Sequence, residues 1–259
     1  IQHLHLDLKV DFESQKLSGS AELTLRRSDD AKELYLDTNG LDIFSVTTPE
    51  GANLKWEFGK RNATLGRPLI IKLPVAGNKV IISSATRPSA AAVQWLTPEQ
   101  TTDKQQPFLF TQSQAILART WVPCQDTPAV RMTYSARIQV PPKLLAVMSA
   151  SNPQTKNDTG IYEFEMKQAI PSYLLALAVG DLQFKEISSR CGVYAERSVV
   201  RKAVWELQDT ERMILAAEEL YGPYRWDRYD VIFLPSSFPF RSEERRVGQE
   251  CRSRWSTYH

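Results

Sequence analysis

The sequence predicts a mainly β protein whose C-terminal part turns to mixed helix and strand. Apolar residues alternate with polar ones in short runs from Leu4 to Met166. Asn-Gly and Pro-Pro pairs cut those runs into strand lengths. A helical spacing appears only after Asp209. Hydrophobic residues at 42% and charged residues at 24% suit a folded globular chain, and 259 residues suffice for one large domain or two modest ones.

Taken in order, Leu4, Leu6, Leu8, Val10 and Phe12 make the apolar face of a first strand, with His3 and His5 on its polar face. Leu17, Ala21, Leu23 and Leu25 supply its partner across a polar turn. Asn39-Gly40 predicts a turn between Leu34-Tyr35-Leu36 and the run from Leu41 to Val46. Leu54-Trp56-Phe58, Leu69-Ile71-Leu73 and Val80-Ile82 then continue a meander. The polar stretch from Thr97 to Gln106 reads as irregular. Met132, Tyr134, Ala136, Ile138 and Val140 alternate until Pro141-Pro142 stops them, and Tyr162-Phe164-Met166 is again one-sided. Tyr173 to Val179 is continuously apolar, which predicts a strand buried on both faces. These strands fit a sandwich or several packed sheets. Asp209 then fits the N-cap of a helix carrying Met213, Ile214, Ala217, Leu220 and Tyr221 on one face, and Gly222-Pro223 ends it. Val231 to Leu234 reads as a buried strand. A helix-plus-strand unit thus begins near residue 190, too short to hold a core of its own.

Composition excludes several classes of chemistry. The formal charge is +2, and the stretch 241–259, with five Arg against three Glu, accounts for it. The body is balanced and offers no overall field for nucleic acid or anionic lipid. No His lies between His5 and His259, so neither a Ser-His-Asp or Cys-His arrangement nor a two-His zinc helix can be assembled inside the chain. His3 and His5 are expected to be solvated on an edge-type strand rather than metal-bound. Cys124 and Cys191 are expected as free thiols. The richest apolar run falls far short of the roughly 20 residues that cross a bilayer. Residue 1 is Ile, with neither Met nor a leader before it, so the natural start is expected to lie upstream.

Several blocks of residues stand in an order that identifies a family. They are Gln94-Trp95-Leu96-Thr97-Pro98-Glu99-Gln100-Thr101, Phe110-Thr111-Gln112-Ser113-Gln114-Ala115, Pro123-Cys124-Gln125-Asp126-Thr127-Pro128 and Leu145-Ala146-Val147-Met148-Ser149-Ala150. Ile170-Pro171-Ser172-Tyr173-Leu174, Tyr221-Gly222-Pro223-Tyr224 and Leu234-Pro235-Ser236-Ser237-Phe238-Pro239-Phe240 complete the series. Together they resemble the gluzincin zinc aminopeptidases, in the branch of leukotriene-A(4) hydrolase and aminopeptidase B. Gln114 favours that branch, since the aminopeptidase N branch typically has Glu there.

The resemblance implies a saddle-like, multi-sheet N-terminal β domain over residues 1–189 and the truncated start of a thermolysin-like α/β catalytic domain over 190–240. It implies a zinc-dependent parent enzyme that removes N-terminal residues from peptides, with epoxide hydrolysis as a second activity open to it. Such a parent would be a cytoplasmic monomer with peptide as its partner, without nucleic acid or membrane. Gln112, Ser113, Gln114 and Ala115 would hold the substrate peptide. Amides at i and i+2 of an extended segment face one way and can each donate and accept toward a peptide backbone. Phe240 would belong to the same substrate-binding set and would lead into the family's amine-recognising Gly-Gly-Met-Glu-Asn, which is absent here, as is its His-Glu-x-x-His zinc motif.

From Arg241 the sequence instead resembles the translation of a common sequencing adapter, departing from it only at Gln249 and Thr257. Residues 241–259 are therefore expected to be non-native, in preference to a nucleic-acid-binding tail built on Trp255 and Tyr258. The chain as written is expected to bind no zinc and to be inactive alone. The alternative is a non-catalytic β-sheet module that captures peptides through the Gln112–Gln114 loop.

Overall fold

A computed structural model describes residues 1–28 and 30–237; Phe240 and the stretch 241–259 lie outside the described residues. In chain order the strands begin with β1 (His3–Asp11), β2 (Lys16–Thr24), β3 (Glu33–Thr38), β4 (Asp42–Thr47) and β5 (Trp56–Phe58). Next come β6 (Arg67–Lys72), β7 (Lys79–Ala85), β8 (Val93–Leu96), β9 (Phe108–Thr111) and β10 (Arg131–Gln139). β11 (Leu145–Met148), β12 (Ile161–Pro171), β13 (Leu177–Gly180), β14 (Leu182–Ser188) and β15 (Cys191–Glu196) precede two helices. These are α1 (Val200–Glu206) and α2 (Thr210–Tyr221), after which comes β16 (Tyr229–Ile232). The multi-sheet, mainly β class read from the sequence is what the chain adopts.

The largest sheet runs β12-β10-β1-β2-β7-β4. Alternation in β1 buries Leu4, Leu6, Leu8 and Val10 in one core with Tyr134, Ala136 and Ile138 of β10 and Tyr162 and Phe164 of β12. β1 is not an edge strand: it pairs antiparallel with β2 and parallel with β10. The neighbouring β10 supplies hydroxyls that occupy the imidazoles. His3 Nδ1 lies 2.7 Å from Thr133 Oγ1 and its Nε2 3.1 Å from Ser135 Oγ, while His5 Nδ1 lies 2.8 Å from that same hydroxyl. Burial, with His5 and Lys79 close by, lowers the His3 pKa below the ordinary imidazole value.

The meander expected between residues 34 and 82 is broken at Asn39-Gly40. β3 joins β6 and β5 in a separate sheet of order β3-β6-β5, whereas β4 pairs with β7 at the edge of the large sheet. The cause lies in the backbone. Asp37 N–H donates to Cys124 C=O at 2.7 Å and Asn39 N–H to Arg119 C=O at 2.9 Å, so the end of β3 is bonded to the 119–124 segment instead of to β4. A turn signal fixes a reversal, but not which sheet the chain enters next.

A third sheet has the order β11-β13-β9-β8, and β11 and β13 in it are buried at every position. The apolar run from Tyr173 is not strand throughout. Pro171 leads into a 3-10 turn at Ser172–Leu174, and only Leu177–Gly180 is extended, buried at every position as its composition required. Gly180 allows a close approach, because a Cβ there would stand 2.3 Å from Cδ2 of the fully buried Phe108.

The last sheet runs β14-β15-β16 and takes its first strand from Leu182–Ser188. α1, unanticipated from the sequence, packs Val200 and Ala203 on Val193 and Ala195 of β15 in a small second core. α2 has the expected span and ends at Gly222 with φ +87°. Asp209 does not cap it through its side chain, which pairs with Arg212 at 3.2 Å instead. Only Thr210 of α2 is buried; Met213, Leu220 and Tyr221 are 68%, 75% and 86% exposed. α2 is held chiefly by charge. Arg190 Nε donates to Glu211 at 2.8 Å, and both Arg190 terminal nitrogens donate to Glu218 at 2.9 and 2.7 Å. The strand expected over Val231–Leu234 forms at Tyr229–Ile232 and is half-buried rather than buried, since β15 is its one neighbour among the described residues. No described helix is long and apolar enough to cross a membrane.

Candidate functional site

The segment leaving β9 is placed by its sheet. β9 pairs with β8, Val93 opposite Thr111, and with β13, Ala178 opposite Phe110. One step beyond the strand, Gln112 N–H still donates to Ala92 C=O at 2.8 Å, and Thr111 Oγ1 accepts from Leu177 N–H at 2.9 Å. Three buried residues, Phe108, Leu109 and Phe110, anchor the segment from behind. The loop that leaves this strand therefore stands on a rigid base.

Of the four predicted site residues in this loop, Gln112 is half-buried, Ser113 is buried, and Gln114 and Ala115 are exposed. Gln112 and Gln114 therefore flank an inward-pointing residue, as the i and i+2 argument requires. The segment is not fully extended, however: Gln114 begins a turn, the Gln114–Ala115 peptide is cis, and Gln112 Oε1 accepts the Gln114 N–H at 3.1 Å. The donating half of the Gln112 amide stays outside that bond. Ser113 departs from the expected contact set. Its hydroxyl donates to Leu175 C=O at 2.7 Å and accepts from Trp121 Nε1–H at 3.1 Å, so it serves the interior rather than a ligand.

Beneath the loop lies a buried ion pair that sequence reasoning misses. Arg119 and Asp126 are 4% and 1% exposed, with Nε to Oδ2 at 3.0 Å. Asp126 Oδ2 also accepts the Arg119 N–H at 3.2 Å, and Oδ1 accepts from Ser172 Oγ at 2.7 Å. Arg119 further donates to the carbonyls of Leu65 and Asp126, each at 3.0 Å, and pairs with Asp37 at 3.3 Å. Burial, with Asp126 and Asp37 close by, holds the Cys124 thiol well above its ordinary pKa, making it a packing residue rather than a nucleophile. The signal available in the sequence was the Asp inside Pro123-Cys124-Gln125-Asp126-Thr127-Pro128; nothing local names an arginine seven residues earlier as its partner.

The family model of the Peptidase M1 N-terminal domain matches residues 2–174. The chain belongs to the M1 peptidase family. It is 40% identical over 255 residues to leukotriene A-4 hydrolase of Xenopus laevis, covering 94% of this chain and 42% of that protein. It is 43% identical over 241 residues to leucine aminopeptidase 2 of Yarrowia lipolytica, covering 92% and 37%. The solved structure of native yeast LTA4 hydrolase superposes with a TM-score of 0.86 at 35% identity, covering 93% of this chain and 38% of that one. The chain thus spans about two fifths of the length of these M1 relatives.

Zinc is the metal that the M1 family implies, and the described residues do not fit it. No group of three or more His, Cys, Asp or Glu among them stands together as a metal site. The two described imidazoles are bonded to Thr133 and Ser135. This M1 segment offers positioned amides and a rigid support.

Proposed function

We propose that this chain supplies the N-terminal β domain of an M1 zinc aminopeptidase that removes N-terminal residues from peptides, and that its 112–115 loop grips the substrate backbone. The observation that carries this reading is the placement of Gln112 and Gln114 on the outer side of a loop whose base is fixed by β8, β9 and β13. The amide NH2 groups donate to peptide carbonyls and the Gln114 carbonyl accepts a peptide N–H, which orients the substrate without chemistry. Zinc and its ligands belong to the remainder of such an enzyme, so the chain as written neither holds zinc nor turns over substrate. Hydrolysis of an epoxide lipid and residence in the cytoplasm belong to the same reading through the resemblance.

Metal analysis and turnover of leucyl-naphthylamide test it. The 259-residue chain should contain far less than one zinc per chain and show no turnover, whereas the protein extended to the length of its relatives should show both. One zinc bound per short chain with chelator-sensitive turnover would overturn the reading.

A further inference from the structure

The loop that bears Gln112 and Gln114 is closed from below by a circuit of hydrogen bonds. Trp121 Nε1–H donates to Ser113 Oγ, and Ser113 donates to Leu175 C=O. Leu175 N–H donates to Ser172 C=O at 3.0 Å, and Ser172 Oγ donates to the Asp126 carboxylate. Asp126 holds Arg119, two residues before Trp121, and Leu117 N–H returns to Ser113 C=O at 2.9 Å. The members come from four places in the chain: the loop after β9, the 3-10 turn at Ala118–Thr120 with Trp121 after it, the Pro123–Pro128 segment, and the 3-10 turn at Ser172–Leu174 with Leu175 after it. Ser113, Arg119, Trp121, Asp126, Ser172 and Leu175 are all buried.

We infer that Ser113 and Trp121 are positioning residues for peptide recognition, setting where the Gln112 and Gln114 amides stand without touching substrate. This rests on the proposed role of the loop. Ser113 is flanked on both sides by the amides in question, and its backbone C=O is itself bonded to Leu117, so its placement fixes both neighbours. Its hydroxyl joins the loop to the Leu175 carbonyl and the indole at once. In Ser113→Ala, the buried indole N–H faces a methyl group and the Leu175 carbonyl loses its donor. Both must seek other partners, and the loop shifts to let them. A shift of this kind weakens contacts along a peptide backbone, not those at a single scissile bond.

The test uses the full-length protein with Leu-Gly-Gly and Leu-p-nitroanilide as probes. Ser113→Ala should raise KM for Leu-Gly-Gly about 5–10-fold with kcat within about 2-fold, the pattern left by losing binding that ground state and transition state share. KM for Leu-p-nitroanilide, which has no further backbone to grip, should move less than about 2-fold. Trp121→Phe, which removes the indole N–H, should act in the same direction, and Ser113→Thr, which keeps the hydroxyl, should restore KM. Gln114→Ala is the control for the underlying reading. If it raises KM for Leu-Gly-Gly while Ser113→Ala and Trp121→Phe leave it unchanged, the positioning role is wrong and the loop's role stands. If Gln114→Ala also leaves KM unchanged, the loop does not grip substrate and both ideas fall. Equal losses on both probes, accompanied by lowered melting temperature, would make Ser113 a purely structural residue and refute the inference.

Discussion

Replacing Asp126 with Ala should cost about 3–5 kcal/mol of folding stability, the range for removing one partner of a buried ion pair. The substitution strips Arg119 N–H and Nε of their acceptor and leaves Ser172 Oγ without one. Arg119 stays charged and is 4% exposed. Its other carboxylate, Asp37 at 3.3 Å, is 38% exposed and therefore a weak substitute. Urea denaturation read by Trp fluorescence measures the loss directly, since Trp121 lies beside the pair in sequence. On heating, the same loss corresponds to about 6–20 °C in Tm for a chain of this size. Asp126→Asn, which keeps an acceptor for Ser172 but not the charge, should fall between. The double variant Arg119→Met with Asp126→Leu should recover much of the loss, because no buried charge is then left unpaired. A cost below about 1 kcal/mol for Asp126→Ala would refute the assignment of this pair as the support beneath the loop.

Two further outcomes rest on the geometry. The Arg190 hydrogen bonds, with the Tyr224 N–H, hold the Glu218 carboxyl down at about 2 against an ordinary 4.5. A depressed carboxylate stabilises fully above its unfolded value and loses that contribution as pH falls through its folded one. Helical circular dichroism of α2 should thus fade between pH 4.5 and about 2, and Glu218→Gln should lower the signal at neutral pH while flattening the dependence; an unchanged acid profile in that variant would contradict the assignment. Gly180→Ala sets a methyl 2.3 Å from the Phe108 ring and should cost about 1–3 kcal/mol as overpacking. A urea midpoint shifted by less than about 0.5 kcal/mol equivalent would show that β9 and β13 have room to separate.

How far the fold could be read depended on whether one face of an element meets water. β1, β2, β10 and β12 are half-buried in the large sheet, so their alternation is plain in the residues. β15 is buried at all six positions and has no alternation to detect. α1 is a seven-residue segment whose two buried positions make too short a stripe to show a period. The separation of β3 from β4 depends on backbone bonds to the 119–124 segment, far along the chain, so the Asn-Gly signal could only announce a turn. In the candidate site, Gln112 and Gln114 were proposed from the family blocks, and their relative facing from the period of two. The role of Ser113 was not, because a serine beside two glutamines looks like a third polar contact until Trp121 and Leu175 are brought against it. The Arg119–Asp126 pair was hidden for the same reason: ion pairing across a loop leaves no spacing rule in the sequence.

The parallel pairing of β1 with β10 has a bearing on synthesis. β2 can zip onto β1 as soon as both emerge, but the other flank of β1 waits for residues 131–139. At about 5–20 residues per second of translation, that flank stays open for about 6–24 s. During this interval the nascent chain presents a row of unpaired amides and carbonyls beside Leu4, Leu6 and Leu8, a surface on which a second nascent chain on the same message could dock. Ribosome spacing and chaperone occupancy near the exit tunnel thereby become determinants of yield for this polypeptide, set by where its central strand was written in the gene.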